Sequence, residues 1–180
     1  IYARNCTSLL SVGGPDVEVC KAQGCTNLQY YSIKGSVSQE DIEGCNNLVG
    51  LHADGILSVD LSEKTLLEQL SGCINAPLDL TNNPYLKKLT LTNNEANVTS
   101  LNLSKNRELE YLNLTMPGLV TLDLTNNRSL TQLEIWGGAF TELNLKQCTL
   151  LETIGFYRDL ALEELDVALC NKLKEIDLIQ

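Results

Sequence analysis

The chain has no long apolar run. None of its 180 residues belongs to a stretch approaching the roughly 18 apolar residues that a membrane-spanning helix needs, so direct membrane insertion is not expected. No basic start leads into an apolar segment, so no signal peptide is read. The chain opens on Ile1 rather than Met, which reads as a trimmed piece of a longer protein. Aromatic side chains make up only 5% of residues, which leaves the core to aliphatic ones. Positive charge is also short: 13 Lys and Arg face 23 Asp and Glu, for a net charge of −10. Such a surface repels phosphate backbones and anionic headgroups, which makes nucleic acid and membrane surfaces poor partners. No Cys-x-x-Cys pair occurs among the seven cysteines, and their odd number argues against a simple disulfide framework. Gly13-Gly14-Pro15 lacks the helix and lysine of a phosphate loop.

What the chain does have is a repeat. Leu101-Asn-Leu103-Ser-Lys-Asn106 is followed by Leu109 and by Leu112-Asn-Leu114. Leu122-Asp-Leu124-Thr-Asn-Asn127 is followed by Leu130 and by Leu133-Glu-Ile135. With the Asn as marker, one phase is held by Cys6, Cys25, Cys45, Lys64, Asn83, Asn106, Asn127, Cys148 and Cys170, in steps of 19, 20, 19, 19, 23, 21, 21 and 22 residues. Three residues after every marker stands a leucine, from Leu9 to Leu173. Such a period marks a stacked-repeat architecture.

Each coil carries two segments of period-two alternation, the pattern of a half-buried strand. Strand A precedes the marker, as in Leu78-Asp-Leu80 and Leu143-Asn-Leu145; in the third coil it weakens to Glu40-Asp-Ile42. Strand B begins six residues after the marker, as in Leu89-Thr-Leu91 and Ile154-Gly-Phe156. Too little chain lies between them for a helix of several turns. The expectation is a solenoid of about nine coils with short parallel strands on two sides and little helix, on the order of 40 Å long at about 4.8 Å per coil. Residues 1–180 read as one domain, with coils irregular over 1–57 and regular over 58–180.

The stretches Leu78-Asp-Leu80-Thr-Asn-Asn83-Pro-Tyr-Leu86 and Leu122-Asp-Leu124-Thr-Asn-Asn127-Arg-Ser-Leu130 resemble the leucine-rich-repeat family. They are most similar to its bacterial, Bacteroidetes-type subclass of nested 10- and 11-residue units. Coils four to nine match the pattern; the first three depart from it with Gly, Ala, Tyr and Glu at core positions. The resemblance implies a bacterial, cell-surface or extracellular setting. It also implies that strand A, the most regular segment, forms the concave ligand-facing side.

The marker column reads as structural. An inward Asn there hydrogen-bonds backbone groups of the turn. Cys6, Cys25, Cys45, Cys148 and Cys170 fit as small buried side chains with a weak donor. Cys20 reads as buried, Cys73 as the one accessible thiol, and Lys64 as swinging to solvent. The outward centre of strand A runs Asp41, Asp60, Asp79, Asn102, Asp123, Asn144 and Asp166, beside Ser62, Thr81, Ser104 and Thr125. Such oxygens could hold calcium. The stronger reading is a solvated column in which Asn relieves repulsion between carboxylates, so no metal or other cofactor is expected.

On strand B, large aromatics stand at outward positions of neighbouring coils: Tyr111, Trp136 and Tyr157, with Asn113, Gln132 and Glu134 beside them. Outward aromatics bury much area at small entropic cost and suit protein interfaces and carbohydrate platforms. A weaker cluster on the same face holds Tyr30, Ser32, Lys34, His52 and Asp54. His52 is the only histidine; Asp54 could orient it and Ser32 or Ser71 could neighbour it, but a solvated polar cluster is the simpler account. No catalytic residues are assigned. The expected function is non-catalytic recognition of a protein or glycan, a basic partner being favoured by the negative charge. The second reading is a structural spacer of a larger surface protein. Uncapped ladder ends also suggest end-to-end association.

Overall fold

The computed structural model describes residues 1–95, 97–158 and 161–179. In chain order the elements begin with β1 (Ser11–Gly13), β2 (Tyr30–Ser38), α1 (Gln39–Ile42), β3 (Gly50–Leu57) and β4 (Gln69–Ile74). They continue with β5 (Lys88–Thr92), β6 (Ser100–Leu101), β7 (Tyr111–Thr115), β8 (Thr121–Leu122) and β9 (Gln132–Trp136). The last are β10 (Glu142–Asn144), β11 (Thr153–Tyr157), β12 (Glu164–Asp166) and β13 (Glu175–Ile179). Nine of these strands form one sheet in the order β1-β2-β3-β4-β5-β7-β9-β11-β13. Every neighbouring pair is parallel, so each coil adds one strand, as the repeat predicts.

Register follows from the apolar alternation. Leu70, Leu89, Leu112, Leu133 and Ile154 pair in line and are buried on the inner face. Slipping any strand by one residue would turn that row to solvent. The leucine three residues after each marker closes the core behind the turn, with Leu28, Leu48, Leu67, Leu86, Leu109, Leu130 and Leu151 fully buried. Tyr31, Phe140 and Phe156 are the aromatic members of the largely aliphatic core, and of these Tyr31 alone carries a hydroxyl. Its hydroxyl is satisfied by donating to Cys20 O at 2.7 Å.

The marker column solves the polar problem of the interior. Asn83, Asn106 and Asn127 each donate from Nδ2 to the carbonyl three residues before the preceding marker: Leu61, Leu80 and Leu103, at 3.1, 3.0 and 3.1 Å. Each Nδ2 also reaches the carbonyl of the preceding marker itself, at 2.8–2.9 Å. The cysteines make the first of these bonds in the same place. Cys25 donates to Ala3 O at 2.7 Å, Cys45 to Ala22 O at 3.0 Å and Cys148 to Leu124 O at 3.5 Å. Burial raises the Cys148 thiol to about 11, and raises Cys25, Cys45 and Cys170 as well, which keeps these donors protonated.

Two members of the column differ from expectation. Cys6 is exposed rather than buried, because no described coil stacks on its outer side. Cys73 is half-buried, so it is not the most accessible thiol. Lys64 does not swing to solvent: it is 1% exposed, its stem enclosed by neighbouring coils, and Nζ donates to Asn46 Oδ1 at 3.1 Å. The inward direction of the marker position outweighs the preference of the ammonium for water.

Strands also form on the second side of the coil, but sparsely. Among the described residues they are β6 with β8, β10 with β12, and a Tyr2–Lys21 bridge. The continuous sheet is therefore built from strand B, not from the strand A segments that the resemblance marks as most regular. The outward Asp and Asn column explains the difference. Asp60, Asp79, Asn102, Asp123, Asn144 and Asp166 each accept, at Oδ1, the backbone N–H two residues on, at 2.8–3.1 Å. These Asx turns take N–H groups that a ladder would otherwise use. The column is thus part of the turn, and no cluster of three or more His, Cys, Asp or Glu poised for a metal occurs among the described residues.

Asp41 does not belong to that outward column. In the third coil strand A is replaced by α1, and Asp41 is 4% exposed. The Ser38 N–H and hydroxyl both donate to its Oδ2 at 2.8 Å, and the Lys21 ammonium lies 2.5 Å from Oδ1. Burial alone would raise this carboxyl; the Lys21 and Ser38 donors outweigh it and hold it below the usual range.

Two outcomes follow from these columns. Asn106→Ala strips two donors from buried carbonyls and should cost about 2–3 kcal/mol in urea unfolding. Lys64→Asn restores the common donor to the column and should raise the urea midpoint. A null effect of both substitutions would rule out the column as a main support of the stack. The second outcome concerns acid. Backbone donors hold Asp60, Asp123 and Asp166, and the Thr81 hydroxyl and N–H hold Asp79, below the ordinary aspartate range. A depressed folded pKa means stability present above the unfolded value, near 3.9, and lost as pH falls through the folded values. Asp79→Asn keeps the turn acceptor without the charge, so its urea midpoint should fall less between pH 5 and pH 2 than that of the parent chain.

Candidate functional site

The outward face of the nine-stranded sheet is an ordered array, because the parallel register aligns equivalent positions of successive coils. One row, at the start of the strands, contains Tyr30, Gly50, Gln69, Lys88, Tyr111 and Gln132. The middle row contains Ser32, His52, Ser71, Thr90, Asn113 and Glu134. At the strand ends, Thr115, Trp136, Tyr157 and Ile179 pair in turn. All six residues singled out in the sequence lie on this face. Gln132 is exposed, while Tyr111, Asn113, Glu134, Trp136 and Tyr157 are partly covered by one another.

The register divides them into two groups. Trp136 and Tyr157 are direct partners across β9 and β11; their rings stack with centroids 4.3 Å apart and planes 25° from parallel. The Arg158 guanidinium lies 5.8 Å from the Trp136 ring, within cation–π range. Tyr157 donates its hydroxyl to Asp177 Oδ2 at 3.4 Å. Burial first, then the Asp177 and Glu134 carboxylates, raise this phenol above its ordinary value. Tyr111 stands at the opposite end of its strand, about 13 Å away for four residues of strand rise. Asn113 joins the ends: its Nδ2 donates to Glu134 Oε2 at 2.7 Å and to the Tyr111 hydroxyl oxygen at 3.2 Å. The side chains are held in place before any ligand arrives.

Two members of this arrangement were not read from the sequence. Arg158 follows β11 with φ at 61°, a left-handed turn that carries its side chain to the Trp136 ring. Gly155 is an outward position of β11 that holds no side chain. A Cβ there would meet the Tyr157 hydroxyl oxygen at 2.5 Å and Cε2 at 2.6 Å, so the ring lies over the space the glycine leaves. A glycine at an outward strand position beside an aromatic was the available signal. The His52 cluster behaves as a polar patch: Ser32 and Ser71 flank His52 in register, and no hydrogen bond links it to them or to Asp54 among the described residues.

No family model and no curated protein matches the sequence. Among solved structures, the chain is similar to the functional domain of InlJ from Listeria monocytogenes, a domain that includes a cysteine ladder. The likeness has a TM-score of 0.57 at 18% identity, over 93% of this chain. This chain spans 43% of the length of that one. The fold is a leucine-rich-repeat solenoid. Its marker column places buried cysteines and asparagines in one line. No helix of the described solenoid is long and apolar enough to cross a membrane.

The stack on this solenoid is testable without a ligand. Gly155→Ala should push the Tyr157 ring off Trp136 and leave the inner face intact. The expected result is a changed near-ultraviolet circular dichroism spectrum and easier acrylamide quenching of the single tryptophan, with the far-ultraviolet spectrum unchanged. Unaltered quenching would mean that the ring does not lie over Gly155.

Proposed function

We propose that this leucine-rich-repeat solenoid, acting as one domain over residues 1–180, is a non-catalytic recognition module. It binds a protein or glycan through the outward face of its sheet, at Tyr111, Asn113, Gln132, Glu134, Trp136 and Tyr157. The observation that carries the reading is the Trp136–Tyr157 stack, standing on the water side of a sheet whose other face already has a full core. A solvated spacer has no need of it. The surrounding carboxylates, Glu134 and Asp177, favour a basic protein. Likeness to an internalin-type domain agrees with a surface or secreted setting.

Arrays of extracellular proteins and of glycans should return ligands for the parent chain. Trp136→Ala and Tyr157→Ala should each weaken those hits about tenfold or more, the range of an aromatic anchor. Hits indifferent to both substitutions would move recognition elsewhere, and an empty screen would favour the spacer.

A further inference from the structure

The other half of the same face carries a second feature. A groove of about 390 Å³ crosses β2 to β7 with Tyr30 at one end and Tyr111 at the other. Four strand steps at about 4.8 Å separate the two phenols, roughly 19 Å. Its floor is the short polar row Ser32, His52, Ser71 and Thr90, and Gln69 and Lys88 stand along its side. Tyr30 is 46% exposed. Its ring leans over Gly50, where a Cβ would meet Cδ1 at 2.9 Å.

The charge of this groove is unlike that of the protein. The chain carries −10, yet no Asp or Glu lines the groove. Lys88 lines it. Lys21, Lys34, Lys87, Lys146 and Lys174 each sit within 4 Å of a carboxylate. Lys88, like Lys64, Lys105 and Lys172, has no such partner among the described residues. A free cation in an acid-free strip is complementary to an anion. Hydroxyls, an amide and an imidazole, with a phenol at each end, match the alternating polar edges and apolar faces of sugar rings. A peptide strand fits less well. Every strand beneath the groove is paired on both sides, so no backbone edge is free for strand addition.

We propose that the groove between Tyr30 and Tyr111 binds a carboxylate-bearing oligosaccharide, with Lys88 pairing the carboxylate and Tyr30 stacking on a ring. The site is separate from the Trp136–Tyr157 surface; Tyr111 borders both and is left out of the test. Isothermal titration with two matched pairs would examine it: tetragalacturonate against maltotetraose, and 3′-sialyllactose against lactose. At least one acidic member should bind about tenfold more tightly than its neutral counterpart, and the gap should shrink as salt is raised. Lys88→Gln should remove most of that preference. Tyr30→Ala should weaken the acidic ligand about tenfold, and Trp136→Ala should leave it unchanged. Far-ultraviolet spectra would confirm that each variant keeps its fold. Equal binding of acidic and neutral glycans would overturn the proposal, as would binding that survives both Lys88→Gln and Tyr30→Ala. Loss with Trp136→Ala alone would assign the glycan to the other surface, overturning this site while supporting the proposed recognition function.

Discussion

Everything in this solenoid depends on satisfying one backbone carbonyl per coil. Stacking buries the turn before each marker, where the carbonyl three residues upstream accepts the marker's own N–H and has a second lone pair to fill. In seven of the eight links the next coil supplies the donor, from Asn Nδ2 or Cys Sγ. The oxygen side of the asparagines goes unused: Oδ1 of Asn83, Asn106 and Asn127 has no partner. The column therefore requires a donor and not an acceptor, which is why a thiol can replace an amide in it. Lys64 is the one inward link that turns elsewhere, to Asn46. A second donor on each of these half-satisfied buried carbonyls favours the same phase in coil after coil.

That phase was legible in the sequence because it is set by spacing alone. The nine markers and the leucines after them predict the strand B register, and the register predicts which residues share the outward face. Features set by contact between side chains were not legible. Lys64 reads as a misfit until its neighbour Asn46 is in place. Asp41 reads as one more outward carboxylate, because only the folded chain brings Lys21 and Ser38 to it from other segments. The closeness of Trp136 to Tyr157 follows from equal register positions. The support from Gly155 and Arg158 depends on ring orientation and on a left-handed turn, and period-two alternation encodes neither.

The acidic composition also divides once the structure is known. Asp60, Asp79, Asp123 and Asp166 serve the turns of strand A, and their charge is a by-product of needing an acceptor there; Asn102 and Asn144 do the same work without it. Net charge is therefore a poor guide to what the sheet face meets. Across that face the sign changes along the solenoid: Glu134 and Asp177 flank the aromatic stack, while Lys88 stands alone over hydroxyls.

The two halves of the solenoid also differ in backbone. From the second to the fifth marker the steps are 20, 19 and 19 residues, against 21 to 23 later. A coil with fewer residues must cover its perimeter with more extended chain. The strands respond: β2, β3 and β4 have nine, eight and six residues, whereas β5, β7, β9, β11 and β13 have five. Strands of unequal length cannot pair throughout, and the register shifts between Ile33 and Ser36 and again between His52 and Gly55. A bulge bends its strand and increases local twist. The groove lies on the N-terminal side of both shifts and runs from these coils on to β5 and β7. In the regular coils a flat sheet presents its aromatics side by side, which suits a stack and a broad contact.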